Sequence, residues 1–84
     1  MELVFSPEAA KALTRLPRKD GEALLAKLRQ VSADPMGRHP WATRLTNQPG
    51  FRVRQGDWRA LYRLDHDSAQ MIVDRIARRH EVYR

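Results

Sequence analysis

The sequence predicts a small α+β fold: an N-terminal strand and a helical hairpin packed on one face of a twisted, mostly antiparallel four-stranded sheet. Three observations carry this. Apolar residues recur at helical spacing from Ala9 to Val31, and at period two from Phe51 to about Ala77. Between the two regimes, Ser32 to Pro40 holds Asp34-Pro35, Gly37 and Pro40, turn chemistry that ends one pattern before the other begins.

Each element has its own local reason. Glu2 to Phe5 alternates, with Leu3 and Phe5 on one side, and reads as a short opening strand. Ser6-Pro7-Glu8 starts a helix: Ser6 caps, Pro7 fits the first turn, and Glu8 suits the positive dipole end. Ala9, Ala12, Leu13 and Leu16 continue it until Pro17 stops the run. A second helix is expected over about Arg18 to Val31, with Leu24, Leu25, Leu28 and Val31 as its apolar stripe and Lys27 and Arg29 off it. The short break at Pro17 makes the pair a tight antiparallel hairpin. Strands follow at Trp41–Leu45, Phe51–Arg54, Trp58–Leu64 and Met71–Ala77, with turns at Asn47–Gly50, Gly56–Asp57 and Asp65–Ser68. Arg78 to Arg84 is too polar for a core strand and reads as a loop or a frayed helical turn. With no internal repeat, low-complexity stretch or linker, residues 1–84 are expected to form a single domain.

Composition narrows function. The absence of cysteine excludes a disulfide framework, a zinc-thiolate site and a thiol nucleophile, and suits a reducing compartment. Acidic Glu2 with no apolar run behind it argues against a cleaved leader, and no run approaches the length of a membrane span. A soluble, cytoplasmic protein is the expectation. His39, His66 and His80 lack ligand spacing, so no metal and no other cofactor is expected.

The net charge is +6, and it is unevenly placed. Residues 1–35 carry six basic and five acidic side chains, whereas residues 36–84 carry ten and five. All ten basic residues of the second part are arginine, the side chain suited to bidentate phosphate contact and base stacking. Alternation puts Arg52 and Arg54 on the outward face of one strand, and Arg59 and Arg63 on that of its hairpin partner, about 4.8 Å away. Like charges gathered on one face cost stability, so the cluster points to a polyanionic ligand, with nucleic acid leading. The alternative is that Asp57, Asp65, Asp67 or another chain's carboxylates neutralise them.

Two stretches carry a family resemblance. They are Phe51-Arg52-Val53-Arg54-Gln55-Gly56-Asp57-Trp58-Arg59-Ala60-Leu61-Tyr62-Arg63-Leu64-Asp65 and Ile76-Ala77-Arg78-Arg79-His80-Glu81-Val82-Tyr83-Arg84. Together with Phe5-Ser6-Pro7-Glu8-Ala9, Leu13 to Pro17, and Asp34-Pro35, they resemble the RelE/ParE superfamily of bacterial toxin–antitoxin toxins over nearly the whole chain. RelE-like members cut mRNA in the ribosomal A site without metal, by attack of the 2′-hydroxyl on the adjacent phosphate. ParE-like members instead inhibit DNA gyrase and generally lack the basic catalytic set.

The resemblance implies roles by position. Arg59 falls at the family arginine of the G-D-Y-R motif and would stabilise the pentavalent phosphate. Arg79 precedes the terminal E-V-Y and would stabilise charge or protonate the leaving 5′-oxygen; Tyr83 would act as base on the 2′-hydroxyl or stack on a base. Arg52 and Arg54 sit where relatives carry backbone-gripping lysines, and Arg78 where many have His or Lys. Because arginine is a poor proton donor, His80 enters as a substitute acid. Arg52, Arg54, Arg63, Arg78 and His80 thus form the expected RNA-binding set. The implied partners are the ribosome with its mRNA and a cognate antitoxin with an acidic or amphipathic segment that folds on binding. A gyrase inhibitor and a plain RNA-binding module are the competing readings.

Overall fold

The computed structural model describes residues 1–83, which leaves Arg84 outside the described residues. The chain runs β1 (Glu2–Phe5), α1 (Pro7–Arg15), α2 (Arg18–Ala33), β2 (Ala42–Arg44), β3 (Phe51–Gln55), β4 (Trp58–Asp65) and β5 (Gln70–Arg78). Ser6 caps α1 as expected, its Oγ accepting from Ala9 N at 3.0 Å. The same hydroxyl donates to Asp74 O at 2.9 Å, which fastens the helix start to β5. Leu16 ends α1 in an extended conformation and Pro17 opens α2, so the reversal takes only two residues.

One expectation changes. The sheet has five strands in the order β1-β5-β4-β3-β2, because β1 joins it as a parallel edge beside β5 instead of lying with the helices. Leu3 pairs with Met71 and Phe5 with Val73, a contact spanning nearly the whole chain. Every other ladder is antiparallel. Strand β2 is only three residues long, although Arg54 N bonding Trp41 O and Leu45 N bonding Gly50 O prolong its pairing with β3.

The helical hairpin covers one face. Leu24, Leu28 and Val31 of α2 meet Val53, Ala60, Met71 and Val73 of the sheet, all fully buried, while Leu25 is only half-buried. Alternation puts Val53 opposite Ala60 and Phe51 opposite Tyr62 on this covered face. Phe51 and Tyr62 stack with centroids 5.1 Å apart. Arg52, Arg54 and Arg59 are therefore left on the uncovered face. A register shift beside Leu61/Tyr62 leaves Asp74 as an extra residue on β5. After β5, hydrogen bonds from Glu81 N and Val82 N to Arg78 O form a helical turn, and Val82 plugs into the protein at 1% exposure. That plug fixes where Tyr83 begins.

Candidate active site

Three segments build a basic surface on the open side of the sheet. The β3–β4 hairpin supplies Arg52, Arg54 and Arg59, and register sets Arg54 directly across from Arg59. The terminal turn supplies Arg79 and Tyr83, and the stretch before β3 supplies Trp41 and Thr43. Arg78, the last residue of β5, lies instead on the helix-covered side, in a hollow it shares with Lys11, Arg15 and Trp58. A small hollow of about 100 Å³ is lined by Pro40, Trp41, Thr43, Arg52, Arg54 and Arg59. A larger one of about 330 Å³ adjoins it through Arg52 and is lined also by Arg44, Leu45, Gln48 and Tyr83.

Arg52 joins the two hollows. Its Nε donates to Thr43 Oγ1 at 3.2 Å and its Nη1 to the Tyr83 hydroxyl at 3.0 Å. The phenol oxygen is thus an acceptor for a guanidinium, with its own O–H left for a ligand. Arg59 is held differently: its Nη1 donates to Gly56 O and Trp58 O, each at 2.8 Å. Gly56 takes φ +56° in the hairpin turn, a conformation glycine adopts without strain. Burial first, and then the cations of Arg52, Arg54 and Arg79, lower the Arg59 pKa, while the Asp57 carboxylate opposes them. Four guanidinium groups therefore share one electrostatic neighbourhood.

The terminal arginines meet at Asp57. Arg78 Nη1 lies 3.3 Å from Asp57 Oδ2 and its guanidinium sits 4.8 Å over the Trp58 ring. Arg79 Nε lies 3.3 Å from Asp57 Oδ1, and Arg79 N donates to Asp57 O at 2.9 Å.

Besides Arg78, two expected members stand apart. Arg63 pairs with Asp74 at 3.1 Å and falls opposite Ile72, beyond the end of β3, so three strand arginines form the cluster rather than four. β3 begins at Phe51, opposite Tyr62, so no β3 arginine stands beside Arg63. His80 faces Glu81 at 3.6 Å, an exposed neighbour pair outside both hollows. Sequence reasoning missed Lys27, which reaches from α2 to donate to Arg54 O at 2.8 Å and lies 5.5 Å over the Trp41 ring. Burial, followed by the charges of Arg54 and Arg59, lowers its pKa. Its spacing from Leu24, Leu28 and Val31 sets it on the flank of the packed stripe, which was the available signal. Among the described residues, no three His, Asp or Glu side chains converge as metal ligands would.

A family model described as the ParE toxin of the type II parDE toxin–antitoxin system matches residues 3–83. The chain belongs to that toxin family. Solved structures agree on its architecture. The RelBE2 toxin–antitoxin complex from Mycobacterium tuberculosis contains a chain 25% identical, with a TM-score of 0.73 over 93% of this chain and 96% of that one. The isolated RelE toxin of E. coli is 23% identical, with a TM-score of 0.80 over 98% and 89%. In the archaeal RelE–RelB complex from Pyrococcus horikoshii the values are 19%, 0.79, 96% and 97%. No curated protein matches the sequence well enough to count as a relative. The protein is thus a toxin of a toxin–antitoxin pair with a RelE-like fold. No helix among the described residues is long and apolar enough to cross a membrane.

Proposed function

We propose that this toxin is a ribosome-dependent endoribonuclease that cuts mRNA in the A site, with residues 1–84 acting as one catalytic domain. The observation that carries the reading is the Arg52–Tyr83 contact at 3.0 Å, which ties a phenol hydroxyl to the arginine whose side chain also lines the hollow of Arg54 and Arg59. The 2′-oxygen attacks the adjacent phosphorus and the bond from phosphorus to the 5′-oxygen breaks. This leaves a 2′,3′-cyclic phosphate and a free 5′-hydroxyl. The Tyr83 hydroxyl, hydrogen-bonded to Arg52, takes the 2′-hydroxyl proton. Arg59, already fixed by two carbonyls, presents its remaining N–H groups to the pentavalent phosphate. Preorganised donors of this kind contribute about 3 kcal/mol each to transition-state stabilisation. Arg79 faces the charge that develops on the leaving 5′-oxygen, which takes its proton from solvent to become the free hydroxyl. Arg54 and Lys27 flank the strand's path.

The partner of the resting toxin is a cognate antitoxin, as in the RelB complexes whose toxin chains share this fold. An acidic or amphipathic antitoxin segment that orders on binding matches the exposed arginines. A ribosomal target places the toxin in the cytoplasm.

The test is a cell-free translation reaction with a defined mRNA, 5′ ends mapped by primer extension, and a ribosome-free control. Discrete cuts within codons, present only during translation, are the expected result. Intact mRNA with a folded protein overturns the reading. In that case blocked DNA supercoiling in a gyrase assay would favour the gyrase-inhibitor reading instead.

A further inference from the structure

Resting on the nuclease reading, we propose that Asp57 is a positioning residue that acts as a built-in phosphate surrogate: its carboxylate holds Arg79 at the edge of the site, and Arg78 on the helix side of the same turn, until the RNA phosphate displaces it.

The hairpin turn 56–58 organises three arginines at once. Gly56 O and Trp58 O take Arg59, the Trp58 ring underlies Arg78, and Asp57 O takes the Arg79 backbone N–H. These contacts are neutral and leave the cations free to bind an anion. The Asp57 carboxylate is different. One oxygen lies 3.3 Å from Arg79 and the other 3.3 Å from Arg78, the same two-oxygen grip that a phosphate offers to paired guanidinium groups. It is an anion at the rim of a basic field, since Arg52, Arg54 and Arg79 all act on Arg59 and the Asp57 carboxylate opposes them. Its side chain is 45% exposed, so an incoming phosphate can reach the same guanidinium groups without unfolding anything. The separate Arg79 N–H bond to Asp57 O remains when the carboxylate lets go, and it keeps Arg79 beside the site during the exchange.

A latch of this kind has a signature that a merely structural residue lacks. Removing the charge should tighten ground-state binding and slow turnover, because the arginines become available but lose their alignment. In Asp57→Asn, the affinity for a short RNA with a 2′-deoxy group at the scissile position should rise about fivefold, the scale of two exposed ion pairs. Its kcat for cleavage on translating ribosomes should fall while KM also falls. The affinity gain should vanish in an Arg78→Ala/Arg79→Ala background. Unchanged or weaker binding by folded Asp57→Asn overturns the proposal.

If that variant fails to fold, ¹⁵N-labelled wild-type toxin titrated with the same RNA decides. The Arg79 Nε–H resonance must move as RNA binds, and a resonance that stays put overturns the proposal. Cleavage by wild type with unaltered Asp57→Asn affinity rejects the latch and keeps the nuclease. Tighter Asp57→Asn binding with no wild-type cleavage keeps the latch and rejects the nuclease.

Discussion

At the scale of single residues, the site depends on how each guanidinium is held as much as on its charge. Arg59 spends one nitrogen on two main-chain carbonyls and keeps the rest of a planar fork for ligand. Lysine in its place has a point charge and no fork, and it must choose between those carbonyls and a phosphate. Arg59→Lys should lower ribosome-dependent cleavage about tenfold, and Arg59→Ala about 100-fold, with thermal midpoints near wild type. Equal loss in the two variants would mean that the fork matters and the charge alone does not. Tyr83 is exposed and contributes one polar atom, which accepts from Arg52. Tyr83→Phe leaves the ring and removes the hydroxyl, so cleavage should fall at least 100-fold with RNA affinity nearly unchanged. A loss in affinity instead would assign Tyr83 to binding. Such contacts were partly legible: period-two alternation put Arg52, Arg54 and Arg59 on one face. The partner of Tyr83 was not, because it depends on where Val82 inserts, and one small apolar residue in a polar tail gives no periodic signal.

At the scale of elements, the turns decide the register that aligns the arginines. The β4–β5 turn is held by Asp65 Oδ1, which accepts from Asp67 N at 3.1 Å and Ser68 N at 3.3 Å. Hydrogen bonding from Ser68, side chain first and backbone second, holds the Asp65 carboxyl below its ordinary range. A depressed carboxylate pKa contributes stability that is present above the unfolded value near 4 and is lost as pH falls through the folded value. Asp65→Asn should therefore melt below wild type at pH 7, with the gap narrowing as pH falls below the unfolded value. A gap independent of pH would assign the effect to shape alone. In the same turn Ala69 takes φ +54°, where an L side chain is strained by about 1 kcal/mol. Ala69→Gly should raise the melting temperature by a few degrees, as measured by circular dichroism, provided the lost strain exceeds the added chain entropy. The helices, the hairpin turns and most strand limits were readable because local chemistry determines them. The place of the opening strand was not: Glu2–Phe5 pairs with Gln70–Val73 in parallel, and nothing within four residues says which edge it will join. The Asp74 bulge escaped for a related reason, since one inserted residue shifts alternation without altering composition.

At the scale of the molecule, the sheet separates two jobs. Its covered face carries the core with the helices, and its open face gathers arginines whose mutual repulsion folding alone would avoid. A surface of this kind binds RNA largely by releasing counterions, so affinity must fall with salt in proportion to the phosphates neutralised. If Arg52, Arg54, Arg59 and Arg79 each engage one phosphate, log affinity for a single strand should fall against log salt with a slope of about −3. Arg54→Ala should flatten that slope by about 0.7, the share of one phosphate. Arg63→Ala is the informative control. Composition and strand alternation rank Arg63 with the others, yet its guanidinium is committed to Asp74 and its register lies past the end of β3. Its removal should leave both slope and affinity where they were. Fluorescence anisotropy with a labelled, uncleavable RNA from 50 to 200 mM salt makes the comparison. An Arg63→Ala slope that flattens as much as the Arg54→Ala slope would mean that RNA reaches across the bulge and that the binding surface runs the length of β4. A change confined to Arg54→Ala places the strand over the β3 end of the sheet, beside Tyr83.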